Sequence, residues 1–231
     1  RLIAQMHKAI SIIQFKLEAQ MVDRRPEWGM ADRKLFEHID FDRKLFVRDG
    51  KEYELKECYF PTVDPADPYS LTKEEAELVE KLNHSFAVSD KLKKHINCLF
   101  LHGCMYGVFN SNLLFHASLP LNADGSLKEV DLYGTKYKGR ELMHRVGMMM
   151  RAAFNDDTPA DERSFARDYY WYLWCGPDSP LFDKSRMATF ERYFIKDPET
   201  HKEEKGYYYK LRNNEEICDM ILDEFGVTGE H

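Results

Sequence analysis

Hydrophobic spacing along the chain changes period several times, and each change marks an element. Between Leu2 and Arg24 the apolar residues recur every three or four positions. Leu2, Met6, Ile10, Ile13 and Leu17 form one stripe, and Ile12, Phe15, Ala19 and Val22 a second beside it. That periodicity predicts a long helix, ended by Pro26, whose ring cannot continue the ladder. Two adjacent stripes predict a helix covered on two sides and therefore central.

The period then drops to two. Residues 43–48 and 51–56 flank Asp49-Gly50, a dipeptide suited to a type I′ turn, and predict a hairpin. Leu45 and Val47 are expected to face one way, opposite Tyr53 and Leu55. Three prolines between Phe60 and Pro68 exclude helix and central strand. Thr72 with Glu75 reads as a capping box for a helix bearing Leu78, Val79 and Leu82. Ser89 caps the next, with Leu92, Ile96, Leu99 and Phe100 expected inward and Gly103 as its end. Met105 to Leu121 reads as a second hairpin turning at Asn110-Ser111-Asn112. Its return strand Leu113-Leu114-Phe115 is apolar on both faces, which predicts a covered sheet. Asn122 to Gly125 is a turn. Helices are expected near 138–154 and 161–173, the latter broken by Gly176-Pro177, followed by a mixed stretch from Leu181 to Lys210. A last helix, Asn214 to Phe225, closes at Gly226. Helices dominate and the strands form antiparallel hairpins, an α+β pattern.

Composition narrows the class. At 231 residues the chain is long enough for one large domain or two small ones. A net charge of −7 argues against a nucleic-acid or anionic-membrane partner. No apolar run has the length of a bilayer span. The five cysteines, Cys58, Cys98, Cys104, Cys175 and Cys218, are odd in number and contain no C-x-x-C pair, which fits a reducing cytoplasm. Arg1 lies directly inside an apolar-periodic helix without a cap, and Gly229-Glu230-His231 follow a helix end. These termini are expected to be cuts in a longer protein.

His116 stands out chemically. It leaves the apolar strand Leu113-Leu114-Phe115 into the small residues Ala117-Ser118, a placement that can present an imidazole to a cleft. The competing reading is a half-buried histidine bonded to backbone. No H-E-x-x-H or other two-ligand spacing occurs, so a self-sufficient metal site is not expected. The run Tyr169 to Trp174 could stack on a sugar, but a helix end packed into a core is favoured. Lys184, Arg186, Arg192, Lys196, Lys202, Lys205, Lys210 and Arg212 give 184–212 a local positive excess. Such donors hold phosphate esters, although a solvated basic face uses the same residues.

Several longer segments resemble a known family. They are Met6-His7-Lys8-Ala9-Ile10, Ile12-Ile13-Gln14-Phe15-Lys16-Leu17-Glu18, Phe60-Pro61-Thr62-Val63-Asp64, Leu113-Leu114-Phe115-His116, Trp171-Tyr172-Leu173-Trp174-Cys175-Gly176-Pro177 and Met187-Ala188-Thr189-Phe190-Glu191-Arg192-Tyr193-Phe194. Together they resemble the bacterial class III fructose-1,6-bisphosphatases, which in turn resemble the calcineurin-like metallophosphoesterases. The resemblance implies part of a metallophosphoesterase β-sandwich plus a helical insertion. Residues 1–103 would be the insertion, with its hairpin near 43–56. Residues 104–231 would be the partial catalytic domain, with core strands at 104–118.

The implied activity of the longer protein is hydrolysis of fructose 1,6-bisphosphate to fructose 6-phosphate and phosphate, a cytoplasmic step of gluconeogenesis. It would use two divalent ions, Mn²⁺ or Mg²⁺, to activate a bridging water. His116 matches the family's histidine after a core strand and would ligate one ion. Ala117 departs from the glycine usual there, and would be strained if that turn needs a positive φ. Lys184, Arg186 and Arg192 are the candidates to hold the second phosphate. The other metal ligands fall outside this stretch, so the chain alone is expected to be inactive. Two other classes stay open: a helical assembly module packing against a sister subunit as a homo-oligomer, and a carbohydrate-binding module built on the Tyr and Trp run.

Overall fold

The structure, a computed structural model, describes residues 2–227 and has the α+β composition the periodicity implies. The chain divides into two compact units. Arg1–Lys93 with Ala188–Lys202 forms the first, and Lys94–Met187 with Glu203–His231 the second.

In the first unit, helix α1 (Leu2–Arg24) buries its second stripe, with Ile12, Phe15, Ala19 and Val22 all under 5% exposed. The expectation of two-sided cover holds only for its C-terminal half. Leu2, Ile3, Met6 and Ile10 are exposed, although Lys8 between them donates to the Glu57 carboxylate and to the Tyr59 carbonyl. Lys16, not recognised from the pattern, is completely buried. Its ammonium donates to the carbonyls of Thr62 and Ser70 and to the Glu75 carboxylate, 2.8 Å away. A buried cation is tolerated only when paired and hydrogen-bonded in this way.

Strands β1 (Ile39–Asp40), β2 (Leu45–Arg48) and β3 (Lys51–Glu54) make an antiparallel sheet in that order. Asp49 and Gly50 both have positive φ, as a type I′ turn requires. The expected facing is off by one residue. The register pairs Phe46 with Tyr53 and Val47 with Glu52, so Phe46 enters the core and Val47 does not. A one-residue slip reverses every side chain. The core is aromatic: Phe15, Phe36, Phe46, Phe60, Phe190 and Phe194 meet mostly edge to face. Phe190 and Phe194 come from the short helix Thr189–Phe194. The same helix carries Glu191, fully buried between Arg33 and Arg48. Burial alone would raise the Glu191 carboxyl, but the two guanidinium groups hold it below its ordinary value.

Helix α2 (Lys73–Ala87) carries the capping box that Thr72 and Glu75 announce. Glu75 is its one fully buried residue; Leu78, Leu82 and Phe86 are 41%, 36% and 61% exposed. Helix α3 (Asp90–His102), capped by Ser89, has no buried residue among those described. Leu99, expected inward, is 66% exposed.

In the second unit, β4 (Tyr106–Phe109) and β5 (Asn112–Phe115) form a hairpin turning at Asn110-Ser111. It is a two-stranded ribbon, not the covered sheet its apolar return strand implied. Val108, Phe109 and Leu114 are 47%, 70% and 58% exposed, since no described element lies across those side chains. A further hairpin, β6 (Val130–Leu132) with β7 (Thr135–Tyr137), was hidden by the brevity of its strands. Helices α4 (Gly139–Ala152) and α5 (Ala160–Cys175) pack together, and Leu142, Val146, Phe165, Tyr169 and Leu173 on them are buried. The aromatic run on α5 is therefore core at Tyr169 and Tyr172, while Trp174 is half exposed. After Gly176-Pro177 the buried Ser179 hydroxyl donates back to the Leu173 carbonyl and closes the helix. A short helix (Tyr207–Leu211) and a last one (Glu215–Glu224) follow; Asn214 caps the latter and Gly226, with φ +71°, ends it.

No helix among the described residues is long and apolar enough to cross a membrane.

Candidate functional site

His116 occupies the bend that follows β5 and its ring is exposed. An exposed imidazole without a described partner is chemically available as a donor. Ala117 next to it does not have positive φ, so alanine is unstrained there. Asp183, which meets this segment, is one of the described residues with a left-handed backbone, at φ +46°.

Asp183 ties the His116 bend to a distant part of the second unit. Ser118, completely buried, donates its hydroxyl hydrogen to the Asp183 carboxylate, and its amide donates to the Pro180 carbonyl at 3.1 Å. The Gly206 amide donates to the Asp183 carbonyl at 2.9 Å. A Cβ at Gly206 would overlap the Asp183 carboxylate, so only glycine lets that carboxylate lie against the backbone. Burial pushes the Asp183 carboxyl above its ordinary value, with the Ser118 bond opposing. Neither Asp183 nor Ser118 was singled out in the sequence. The available signal was weak: a serine two residues after the histidine, and an aspartate in a Pro-rich turn.

Two of the three basic candidates follow this junction closely along the chain. Lys184 directly follows Asp183, and pairs with Glu203 at 2.9 Å while lying over the Phe182 ring. Arg186 is half buried, and its Nε is buried with no hydrogen-bond partner. Arg192 belongs to the first unit, where it is exposed and donates to the His201 carbonyl at 3.4 Å.

Two apolar concavities lie elsewhere. A cleft of about 480 Å³ in the first unit is lined by Lys8, Ile12, Thr62 and Leu78 among others. One of about 290 Å³ in the second is lined by Leu99, Phe100, Met150 and Phe154. Both are largely apolar and neither includes His116. The titratable chemistry, and not the hollow shape, marks the junction as the candidate.

A divalent ion needs several donors at about 2 Å. Among the described residues no three His, Cys, Asp or Glu side chains converge to hold a metal. The residues present thus do not fit a complete metal centre, and His116 offers one donor at most.

Comparison with known proteins gives the family. The model described as Firmicute fructose-1,6-bisphosphatase matches residues 1–231. A fructose-1,6-bisphosphatase class 3 from Bacteroides fragilis is 63% identical over 231 residues, which cover all of this chain and 35% of that relative. Proteins of the same description from Porphyromonas gingivalis and Clostridium botulinum are 54% and 50% identical, over 99% and 98% of this chain. The chain spans about a third of the length of these relatives, 35% and 34% of the latter two. No solved structure matches. With the family match running over every residue, this chain belongs to the Firmicute fructose-1,6-bisphosphatase family.

Proposed function

We propose that this chain is an internal third of a fructose-1,6-bisphosphatase of class 3, and that the longer protein removes the 1-phosphate of fructose 1,6-bisphosphate to give fructose 6-phosphate and phosphate. The observation that carries this is the family match over the whole chain together with its 35% share of the relatives. The activity requires a divalent metal, Mn²⁺ or Mg²⁺, acting in a cytoplasmic step of gluconeogenesis. Since the described residues do not fit a complete centre, most of its donors lie in the remaining length.

In this reading residues 104–231 are part of a metallophosphoesterase domain and 1–103 are a helical insertion. The exposed apolar hairpin β4–β5 supports it. A two-stranded ribbon is marginal alone, and Val108, Phe109 and Leu114 offer a face that further strands would cover. His116 leaves that hairpin as the donor this chain contributes. Lys184 and Arg186 would meet a phosphate: Arg186 has an unused donor, and Lys184 would exchange Glu203 for the ligand. Arg192 is carried by motif position alone.

The test is phosphate release from fructose 1,6-bisphosphate by the longer protein with added Mn²⁺ or Mg²⁺. His116→Ala should lower it by at least about a hundredfold, as expected for loss of a group at the reacting centre. The 231-residue chain alone should release none. Metal-dependent turnover by the short chain, or full activity of His116→Ala, would refute the assignment.

A second reading, assembly into a homo-oligomer, is favoured by the uncovered stripe Leu78, Leu82 and Phe86 on α2. Sedimentation of the longer protein checks it: a shift to a smaller species in Leu82→Glu supports the reading, and an unchanged monomer ends it.

A further inference from the structure

We propose that Asp183 and Ser118 are positioning residues, whose buried bond sets the bend that presents His116; this rests on His116 being functional.

The fold has no evident need for this acid. Asp183 is 4% exposed, its carboxylate accepts from the Ser118 hydroxyl, and Lys128 acts on it only as a minor opposing charge. It also holds a left-handed backbone that aspartate adopts only at some expense in energy. A buried carboxyl bonded to one hydroxyl is a net burden compared with an apolar residue of similar size. What the burden achieves is geometric. Through Ser118, one carboxylate fixes the segment 116–118. Its own carbonyl holds Gly206, and the next residue along is Lys184. Three stretches distant in sequence are locked at one point, and His116 stands two residues from it. A donor on an exposed bend is useful to catalysis only if that bend is rigid, because small misplacements are costly in rate.

The test uses the longer protein. Ser118→Ala removes the hydroxyl donor, Ser118→Thr restores one, and Asp183→Asn keeps an acceptor. Four quantities are measured: kcat and KM for phosphate release, the melting temperature, and the rate at which diethyl pyrocarbonate modifies His116, read by mass spectrometry of its peptide. In Ser118→Ala, kcat should fall about tenfold with KM near wild type, and the melting temperature should fall as well because Asp183 loses its buried hydroxyl partner. The His116 modification rate should change several-fold while His84 and His144 keep theirs. Ser118→Thr should return both, and Asp183→Asn should lie between.

An unchanged kcat and unchanged His116 reactivity in Ser118→Ala overturns the proposal. So does a parallel fall in kcat and melting temperature that Ser118→Thr does not restore, since that is a structural role only. If the wild-type longer protein releases no phosphate, the proposed function fails, and His116 reactivity alone then decides whether the tie holds.

Discussion

Single side chains decide most of what is unusual here, and they are charged groups inside the fold. Lys16 is buried against Glu75, and Arg33 and Arg48 against Glu191. Removing one partner leaves an uncompensated buried charge. Glu191→Gln should therefore destabilise the protein by about 3–5 kcal/mol in denaturant unfolding, and Lys16→Met with Glu75 intact by a similar amount. The pH dependence follows from the same acids. Glu75 and Glu191 are held below their ordinary 4.5, so their stabilisation is complete above that value and is lost as pH falls through their folded values. Asp183 is shifted the other way, above its ordinary 3.8, so it weakens the fold increasingly as pH rises through its folded value. Asp183→Asn should raise the melting temperature near neutral pH and leave it unchanged near pH 3, which thermal scans at the two pH values would check.

At the level of elements, local signals were strong and facing was weak. The Thr72 and Glu75 box, the Asp49-Gly50 turn and the Gly226 stop were all legible, because each is a short-range hydrogen bond or backbone preference. The hairpin register was not. Leu45, Val47 and Phe46 are all apolar, and alternation cannot choose which residues face in when both sets are. Phe46→Ala should cost about 3–5 kcal/mol, and Val47→Ala well under that, by chemical denaturation. Equal losses would restore the reverse facing. Thr72→Ala should cost about 1 kcal/mol through the lost cap.

For the whole molecule, the uncovered surfaces on α2, α3 and β4–β5 share one feature: amphipathic or apolar elements with few buried residues. If the longer protein covers the hairpin, amides of 106–115 in that protein should exchange with deuterium slowly, as in a paired sheet. Rapid exchange across both strands would show the hairpin is free there too.

By itself the sequence determined the helices, the turns, the α+β class, the family resemblance and the suspicion attached to His116, since each depends on neighbours within a few residues or on long matching segments. Only the tertiary structure decided that Phe46 faces inward, that Lys16 is buried, and that Ser118 and Asp183 join the His116 bend to the turn before Lys184. Those outcomes come from contacts between residues dozens of positions apart, and periodicity carries no information about which distant surface an element will meet.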